Sequence, residues 1–196
     1  MLAFVIFVFA VAGMIKGTIG LGLPAVSMGL LSLVISPFQA ATLLIIPSMV
    51  TNFWQLFAEG RVMRLVQRFW PLLVGMIIGS VWSVFPTLGH GEFQSEALLG
   101  GMLAIYGLYG LFAKNMPNLA PYEKYLSPIM GYLGGALTVA TGVVVIPVVP
   151  YLQSLHLKRD DLVQSLGLAF TVSTLCLTVY LHLNPVEDTP IDYQLS

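Results

Sequence analysis

The stretch VAGMIKGTIGLGLPAV, residues 11–26, places one lysine, four glycines and a proline inside one of the most apolar parts of the chain. A segment that only had to cross a membrane would need none of them, because a charge is costly in lipid and proline removes a helical hydrogen bond. The stretch therefore predicts a helix that is interrupted at Gly and Pro for a purpose other than anchoring.

The composition of the whole chain extends this prediction. Of its 196 residues, 57% are hydrophobic and 9% are charged, whereas a soluble domain carries roughly 25% charged residues. Since an ordinary spanning helix needs roughly 20 residues, the chain has room for at most about eight crossings. We expect an all-α, polytopic transmembrane helical bundle. Apolar runs predict helices near 2–15, 22–36, 38–58, 69–88, 96–113, 126–140, 143–155 and 162–183.

Several classes of function are excluded by what the sequence contains. A net charge of −1 offers no basic surface to nucleic acid. Cys176 is the single cysteine, so no disulfide within the chain or thiolate cluster can form. The three histidines lack the spacing of metal ligands, and no nucleophile and base are placed to act together. We expect neither an enzyme nor a bound metal or cofactor. The histidines are His90, His156 and His182.

The basic residues predict one orientation in the membrane. If the N-terminus starts outside, all eight Lys and Arg side chains fall in inside loops or at an inward-pointing tip, as expected because cations are retained on the cytoplasmic side. The predicted outside segment 89–96 and the C-terminal tail contain no cation.

A faint internal repeat relates residue n to residue n+122. Gly13 then meets Gly135, and Gly20 meets Gly142, while Pro24 and Pro147 are out of register by one residue. Five predicted crossings, an odd number, lie between the start of the first copy and the start of the second, so the two copies would be oppositely oriented. We expect a first repeat with a connecting helix over 1–125 and a second, inverted repeat over 126–196. Inverted repeats with broken segments in matching places are typical of secondary transporters.

Lys16 is the first candidate site residue. No predicted span contains Asp or Glu except Glu96 at a helix start, so Lys16 has no obvious carboxylate partner. One interpretation is that it faces an anionic substrate; the other is that it snorkels to the cytoplasmic interface. Gly17, Gly20 and Gly22 allow backbone N–H groups to approach an anion, although the same glycines would also suit close helix packing.

Polar side chains recur about 30 residues after each break. Thr51 and Asn52 correspond to Ser173 and Thr174 in the repeat, and together these residues would complete a site with neutral donors. The alternative interpretation is ordinary interhelical hydrogen bonding.

Three segments resemble the sulfite exporter TauE/SafE family of bacterial membrane permeases: KGTIGLGLPAV, IIPSMVTNFWQ and TGVVVIPVVPYLQSLHLKRDDLVQSLGLAFTVSTL. The resemblance implies a multi-pass carrier of the bacterial cytoplasmic membrane that moves sulfite, sulfonates or other small organosulfur or carboxylate anions. It singles out, for the discontinuous-helix region, Lys16, Gly17, Gly20, Gly22, Pro24, Thr51, Asn52, Gln55, Thr141, Gly142 and Pro147. Thr18, within the first of the three segments, is a further candidate substrate-binding residue.

The expected partners are the lipid bilayer and a small anion, with a homo-oligomer left open. The rival hypothesis is a non-transporting membrane scaffold or assembly partner, in which the glycines serve helix packing alone. The family normally continues beyond residue 196, and the final TPIDYQLS resembles the polar start of another helix. The second repeat is therefore expected to lack its last one or two spans.

Overall fold

The structure, a computed structural model, describes residues 2–58, 60–85, 87–88, 92–112, 117–144 and 146–184. Every described element is helical, and no strand occurs in these ranges, which confirms the all-α prediction. The α-helices are α1 Leu2–Ile19, α2 Leu23–Leu31, α3 Pro37–Phe57, α4 Val62–Val81, α5 Glu92–Phe112, α6 Glu123–Thr141, α7 Val148–Ser154 and α8 Arg159–Leu183. A 3-10 turn at Ala120–Tyr122 precedes α6.

Among the described residues, four helices are long and apolar enough to cross a membrane: α1, α3, α4 and α8. Each has at least 18 residues. At 1.5 Å per residue, 18 residues extend about 27 Å, close to the thickness of a hydrocarbon core of about 30 Å. The chain is therefore built as an integral membrane protein.

Some predicted helix boundaries differ from the structure. The first helix was expected to end at residue 15, but α1 continues to Ile19, so Lys16 lies within its last turn. The fourth was expected over 69–88 but occupies Val62–Val81. Arginine is a good helix former, and the arginine-rich start of α4 is helical rather than a loop. The second and seventh helices are also shorter than the predicted 22–36 and 143–155.

The elements recur along the chain at the predicted offset. Gly20 follows α1 with φ +80°, and Gly142, 122 positions later, follows α6 with φ +74°. Each break leads to a short helix, α2 or α7, and α3 and α8 then begin 122 positions apart, at Pro37 and Arg159. The relative inversion of the two halves and their division at residue 125 stay predictions.

Glycines bring α4 and α6 into backbone contact. A Cβ atom added to Gly79 would lie 2.0 Å from the Tyr132 carbonyl oxygen, and one added to Gly135 would lie 2.0 Å from that of Met76. Only glycine fits at such a distance, and small residues allow helices to approach in this way in lipid. The α4–α6 seam therefore fixes one face of the second half.

Ion pairs join the starts of α4, α6 and α8. The Asp161 carboxylate accepts hydrogen bonds from Arg61 and Arg64, both at 3.0 Å. Arg68 binds Glu123 with two hydrogen bonds of 2.7 and 2.8 Å. These contacts place the three helix starts at the same end of the bundle, whereas the orientation of the chain in the membrane stays a prediction.

Candidate functional site

Lys16 is held inside the protein. Its side chain is 5% exposed, and Nζ donates hydrogen bonds to Thr51 Oγ1 at 3.0 Å and to Asn52 Oδ1. The ammonium also lies 5.6 Å from the centre of the Phe170 ring, within the range of a cation–π contact. No Asp or Glu in the described part of the chain pairs with it. The Lys16 side chain is therefore turned into the protein, where the contacts of its ammonium with described residues are to neutral groups.

Asn52 connects this lysine to the second half of the chain. It is completely buried in α3, and its Nδ2 donates to Thr174 Oγ1 of α8 at 3.2 Å. Thr174 Oγ1 in turn donates to the Phe170 carbonyl at 2.8 Å. Since Asn52 and Thr174 are 122 positions apart, the hydrogen bond joins a residue to its own counterpart in the repeat.

A neutral version of the Lys16 contact occurs in the second half. Thr138 in α6 and Ser173 in α8 are hydrogen bonded at 3.0 Å. They are the counterparts, 122 positions later, of Lys16 and Thr51, and both pairs span 35 residues. The two halves thus make the same interhelical contact, with a charge in only one of them.

A small cavity lies between Pro24 in the first turn of α2 and Gly142 at the end of α6. Its space for the centre of a water-sized sphere is about 10 Å³, which is close to the minimum for one water molecule. The Ser48 hydroxyl at its wall is buried and has no hydrogen-bond partner. The lining residues are Pro24, Leu44, Ile45, Ser48, Gly142, Val144, Phe170, Ser173, Thr174 and Leu177.

A much larger groove runs between α1 and α3. It has a volume of about 1110 Å³ and is open on one side. Gln55 ties the groove wall to both halves, because its Nε2 donates to the Gly20 carbonyl at 2.9 Å and to the Val163 carbonyl at 2.8 Å. The lining residues are Gly13, Lys16, Gly17, Gly20, Val50, Thr51, Phe53, Trp54, Gln55, Phe57, Ala58 and Val163.

The structure brings most of the sequence-predicted site residues to these two spaces. Lys16, Thr51, Asn52 and Thr174 form one hydrogen-bonded chain. Ser173, Pro24 and Gly142 lie at the cavity, and Gly17, Gly20 and Gln55 lie at the groove.

Four predicted residues lie elsewhere. Thr18 is on the exposed side of α1 and donates to the Met14 and Ile15 carbonyls of its own helix. The Thr141 hydroxyl donates to the Leu137 carbonyl at 2.7 Å. The other two stand at helix starts, Gly22 before α2 and Pro147 before α7. These four shape the breaks and contribute no side chain to the lysine cluster.

Three residues at the site were missed by sequence reasoning: Ser48, Thr138 and Phe170. Thr138 is the counterpart of Lys16 at the repeat offset. It could therefore have been predicted, although lysine and threonine do not align by similarity. Ser48 and Phe170 are also counterparts at the repeat offset of 122, but serine and phenylalanine do not align by similarity, and each is an ordinary residue in an apolar helix.

The described histidines support no metal site. His156 is exposed, with its Nδ1 3.0 Å from the Ser154 carbonyl oxygen, and His182 is in the last turn of α8. His90 lies outside the described residues. Within the described ranges, no three His, Cys, Asp or Glu side chains are grouped to hold a metal ion.

Comparison with known proteins gives one match. The family model described as Sulfite exporter TauE/SafE matches residues 5–191. No curated protein and no solved structure matches the chain.

Proposed function

The chain belongs to the sulfite exporter TauE/SafE family, whose members are membrane transporters of sulfur anions, and we propose that it is a secondary transporter of small anions. The proposed substrates are sulfite, sulfonates or related organosulfur anions, and the proposed location is the bacterial cytoplasmic membrane. Family membership supports the class of protein, while the arrangement around Lys16 supports the site.

The observation that carries the proposal is a buried ammonium that has no carboxylate partner among the described residues. Burying a charged side chain is costly unless other groups compensate the charge. Lys16, in the last turn of α1, offsets this cost through a threonine hydroxyl, an amide oxygen and an aromatic ring. Since all three are neutral, the positive charge is available to stabilise an anion that enters from the groove.

The neighbouring residues have distinct roles in this proposal. Asn52 orients the ammonium and transmits its position to α8 through Thr174. Gly17 leaves the groove open beside Lys16, because a Cβ atom there would meet nothing within 4 Å. Transport would proceed by movement of one half of the chain against the other, as in carriers built from repeats.

The first test is anion flux into proteoliposomes that contain the purified chain. Labelled sulfite, sulfate, a small sulfonate and a small carboxylate are compared for wild type and Lys16→Gln. We expect saturable flux of one anion and its loss by about 100-fold or more in Lys16→Gln, since one desolvated charge contact is worth several kcal/mol. Lys158→Gln is the matched control because Lys158 is exposed, and its flux should equal that of wild type.

Other outcomes would count against the proposal. Equal flux in Lys16→Gln and wild type, with both proteins monodisperse, would remove the lysine from the site. Absence of saturable flux for every anion with well-folded protein would favour the membrane scaffold. The melting temperature of each variant is measured in the same preparation, so that a loss of flux is not confused with a loss of folding.

A further inference from the structure

The hydrogen bonds of Lys16 satisfy an amine fully but an ammonium only in part. Its Nζ donates to two acceptors, Thr51 Oγ1 and Asn52 Oδ1, whereas an ammonium carries three N–H groups and a neutral amine carries two. Among the described residues no third oxygen accepts from it, and the Phe170 ring lies 5.6 Å away. The third proton of the ammonium is therefore the one that the protein leaves without an acceptor.

Both acceptors are fixed in that role by their own partners. The Thr51 hydroxyl donates its hydrogen to the Pro47 carbonyl at 2.9 Å. The side-chain amide of Asn52 donates to Thr174 Oγ1 at 3.2 Å, which leaves its Oδ1 as an acceptor. Neither group can therefore turn to donate to the lone pair of an amine. The lone pair and the proton that it binds remain for a molecule that enters the groove, which Lys16 lines.

We propose that Lys16 carries a proton across the membrane together with the anion. The nitrogen lone pair takes up one proton as one anion binds, and the anion accepts the third N–H of the resulting ammonium. When the anion leaves, the ammonium returns that proton to water in the groove and the side chain remains as an amine. This inference rests on the proposed transport function, to which it adds the coupling ion.

The charge of the site links the proton to the anion. An ammonium without an anion is an uncompensated buried charge, and an anion beside an amine is another; both are costly in a protein interior. The empty site with an amine is neutral, and so is the occupied site with an ammonium and a monovalent anion. Each ligand therefore strengthens the binding of the other, and the two neutral forms are the ones favoured for movement of one half against the other.

No other titratable side chain in the described part of the chain competes with Lys16 for this role. Helices α1, α2 and α3 contain none besides Lys16. On α8 such side chains occur in the first turn and from Cys176 onward, and none of them lines the groove or hydrogen bonds to Lys16. They are Arg159, Asp160, Asp161, Cys176, Tyr180 and His182. A proton that binds with the anion at the groove is therefore assigned to Lys16.

Proton uptake on anion binding tests the inference in the purified protein. Methanesulfonate is added to wild type in weakly buffered detergent solution, over a range from about pH 6 to about pH 10 in which the charge of this probe does not change. We expect uptake of up to about one proton for each bound anion. The apparent Kd should rise by up to about tenfold per pH unit where the empty site is an amine.

Lys16→Arg separates the charge from the proton, because a guanidinium keeps its charge over this whole range. The variant should bind methanesulfonate without proton uptake, and its Kd should vary by less than about twofold with pH. Lys158→Arg is the matched control, since it makes the same exchange at an exposed position. Its proton uptake should equal that of wild type.

Anion binding by wild type with no proton uptake at any pH would overturn the proton role and leave the carrier, whatever the variants do. Proton uptake by well-folded Lys16→Arg would also overturn it, because another group would then hold the proton. In proteoliposomes, a proton gradient should make wild type accumulate methanesulfonate, whereas Lys16→Arg should only exchange it. Absence of both binding and flux in well-folded wild type would count against the transport function itself, and with it against the proton role.

Discussion

The helices α1 and α6 end in matching glycine breaks but lie in very different surroundings. A Cβ atom on Gly135 of α6 would collide with the backbone of α4, whereas one on Gly13, its counterpart in α1, would meet nothing within 4 Å. Gly17 lies four residues after Gly13 in α1, and a Cβ atom there would also meet nothing within 4 Å. The same type of helix is thus clamped in one half and left beside a groove in the other.

The difference extends to the polar contact each helix makes. The open helix carries Lys16, and the clamped helix carries Thr138 at the corresponding place. A charged group that must meet a substrate needs an accessible wall, whereas a neutral hydrogen bond can be enclosed. The comparison teaches that one half supplies rigidity and the other supplies access, although both follow the same order of elements.

The largest effect is expected from crowding the clamped helix. Gly135→Ala places a methyl group against the Met76 carbonyl, and we expect it to lower the free energy of unfolding by about 3 kcal/mol or more, at the upper end for overpacking. Gly13→Ala is the matched control and should change it by less than about 1 kcal/mol, with a gain in helix propensity. Melting temperatures in detergent measure both. Equal tolerance at the two positions would break the comparison.

A second prediction separates the charged contact from its neutral counterpart. Thr51→Val removes an acceptor from Lys16 and should cost about 1.5–3 kcal/mol, as for hydrogen bonds to charged groups. Ser173→Ala removes the corresponding neutral partner of Thr138 and should cost about 0.5–1.5 kcal/mol. Both are measured as changes in unfolding free energy. A larger loss in Ser173→Ala would contradict the view that the charge makes the first contact the stronger.

A third prediction concerns the ion pairs that tie α4 to α8. Asp161→Asn removes two contacts with arginines that are substantially exposed, so we expect a cost of only about 1 kcal/mol. The neighbouring Asp160 is exposed, and Asp160→Asn is the control. Because salt screens such pairs, the difference between the two variants should shrink at about 1 M salt. A difference that salt leaves unchanged would mean that packing rather than charge holds this end.

The smallest structural effect, with a clear chemical readout, is expected at Gly17. In a Cys176→Ser background, Gly17→Cys should leave the melting temperature nearly unchanged, since a Cβ atom at this position would meet nothing within 4 Å. It should react with a charged thiol reagent that enters the groove, whereas Ala140→Cys, at a fully buried position of α6, should be protected. Equal protection of both cysteines would show that the groove beside Lys16 excludes water.

The sequence was sufficient for the class of fold and for the position of both breaks. Long apolar runs predict helices, and Gly20 and Gly142 mark backbone that needs a positive φ. The start of α4 was wrong because Arg61, Arg64 and Arg68 were taken as a loop, although their partners sit on α6 and α8. Such partners are distant along the chain and leave no local pattern.

The contacts around Lys16 could be predicted only in part from the sequence. The repeat offset relates Asn52 to Thr174, which are bonded in the structure. Two features depend on how α1, α3 and α8 cross. They are the position of the Lys16 ammonium over the Phe170 ring and the burial of the Ser48 hydroxyl without a hydrogen-bond partner. Crossing geometry is set by packing of whole helices rather than by any short motif, so neither residue stood out from its neighbours.

The bond between Asn52 and Thr174 has a consequence for chains of this design. In two identical halves that assembled as separate subunits, position 52 would face a copy of itself, and one residue would have to act as both donor and acceptor. Joining the halves in one polypeptide frees each position to differ, so an amide can donate while a hydroxyl accepts. For the same reason the chain can bury a single lysine, whereas a symmetric pair of subunits would bury two. Two buried lysines would repel each other and would double the cost of removing the charges from water.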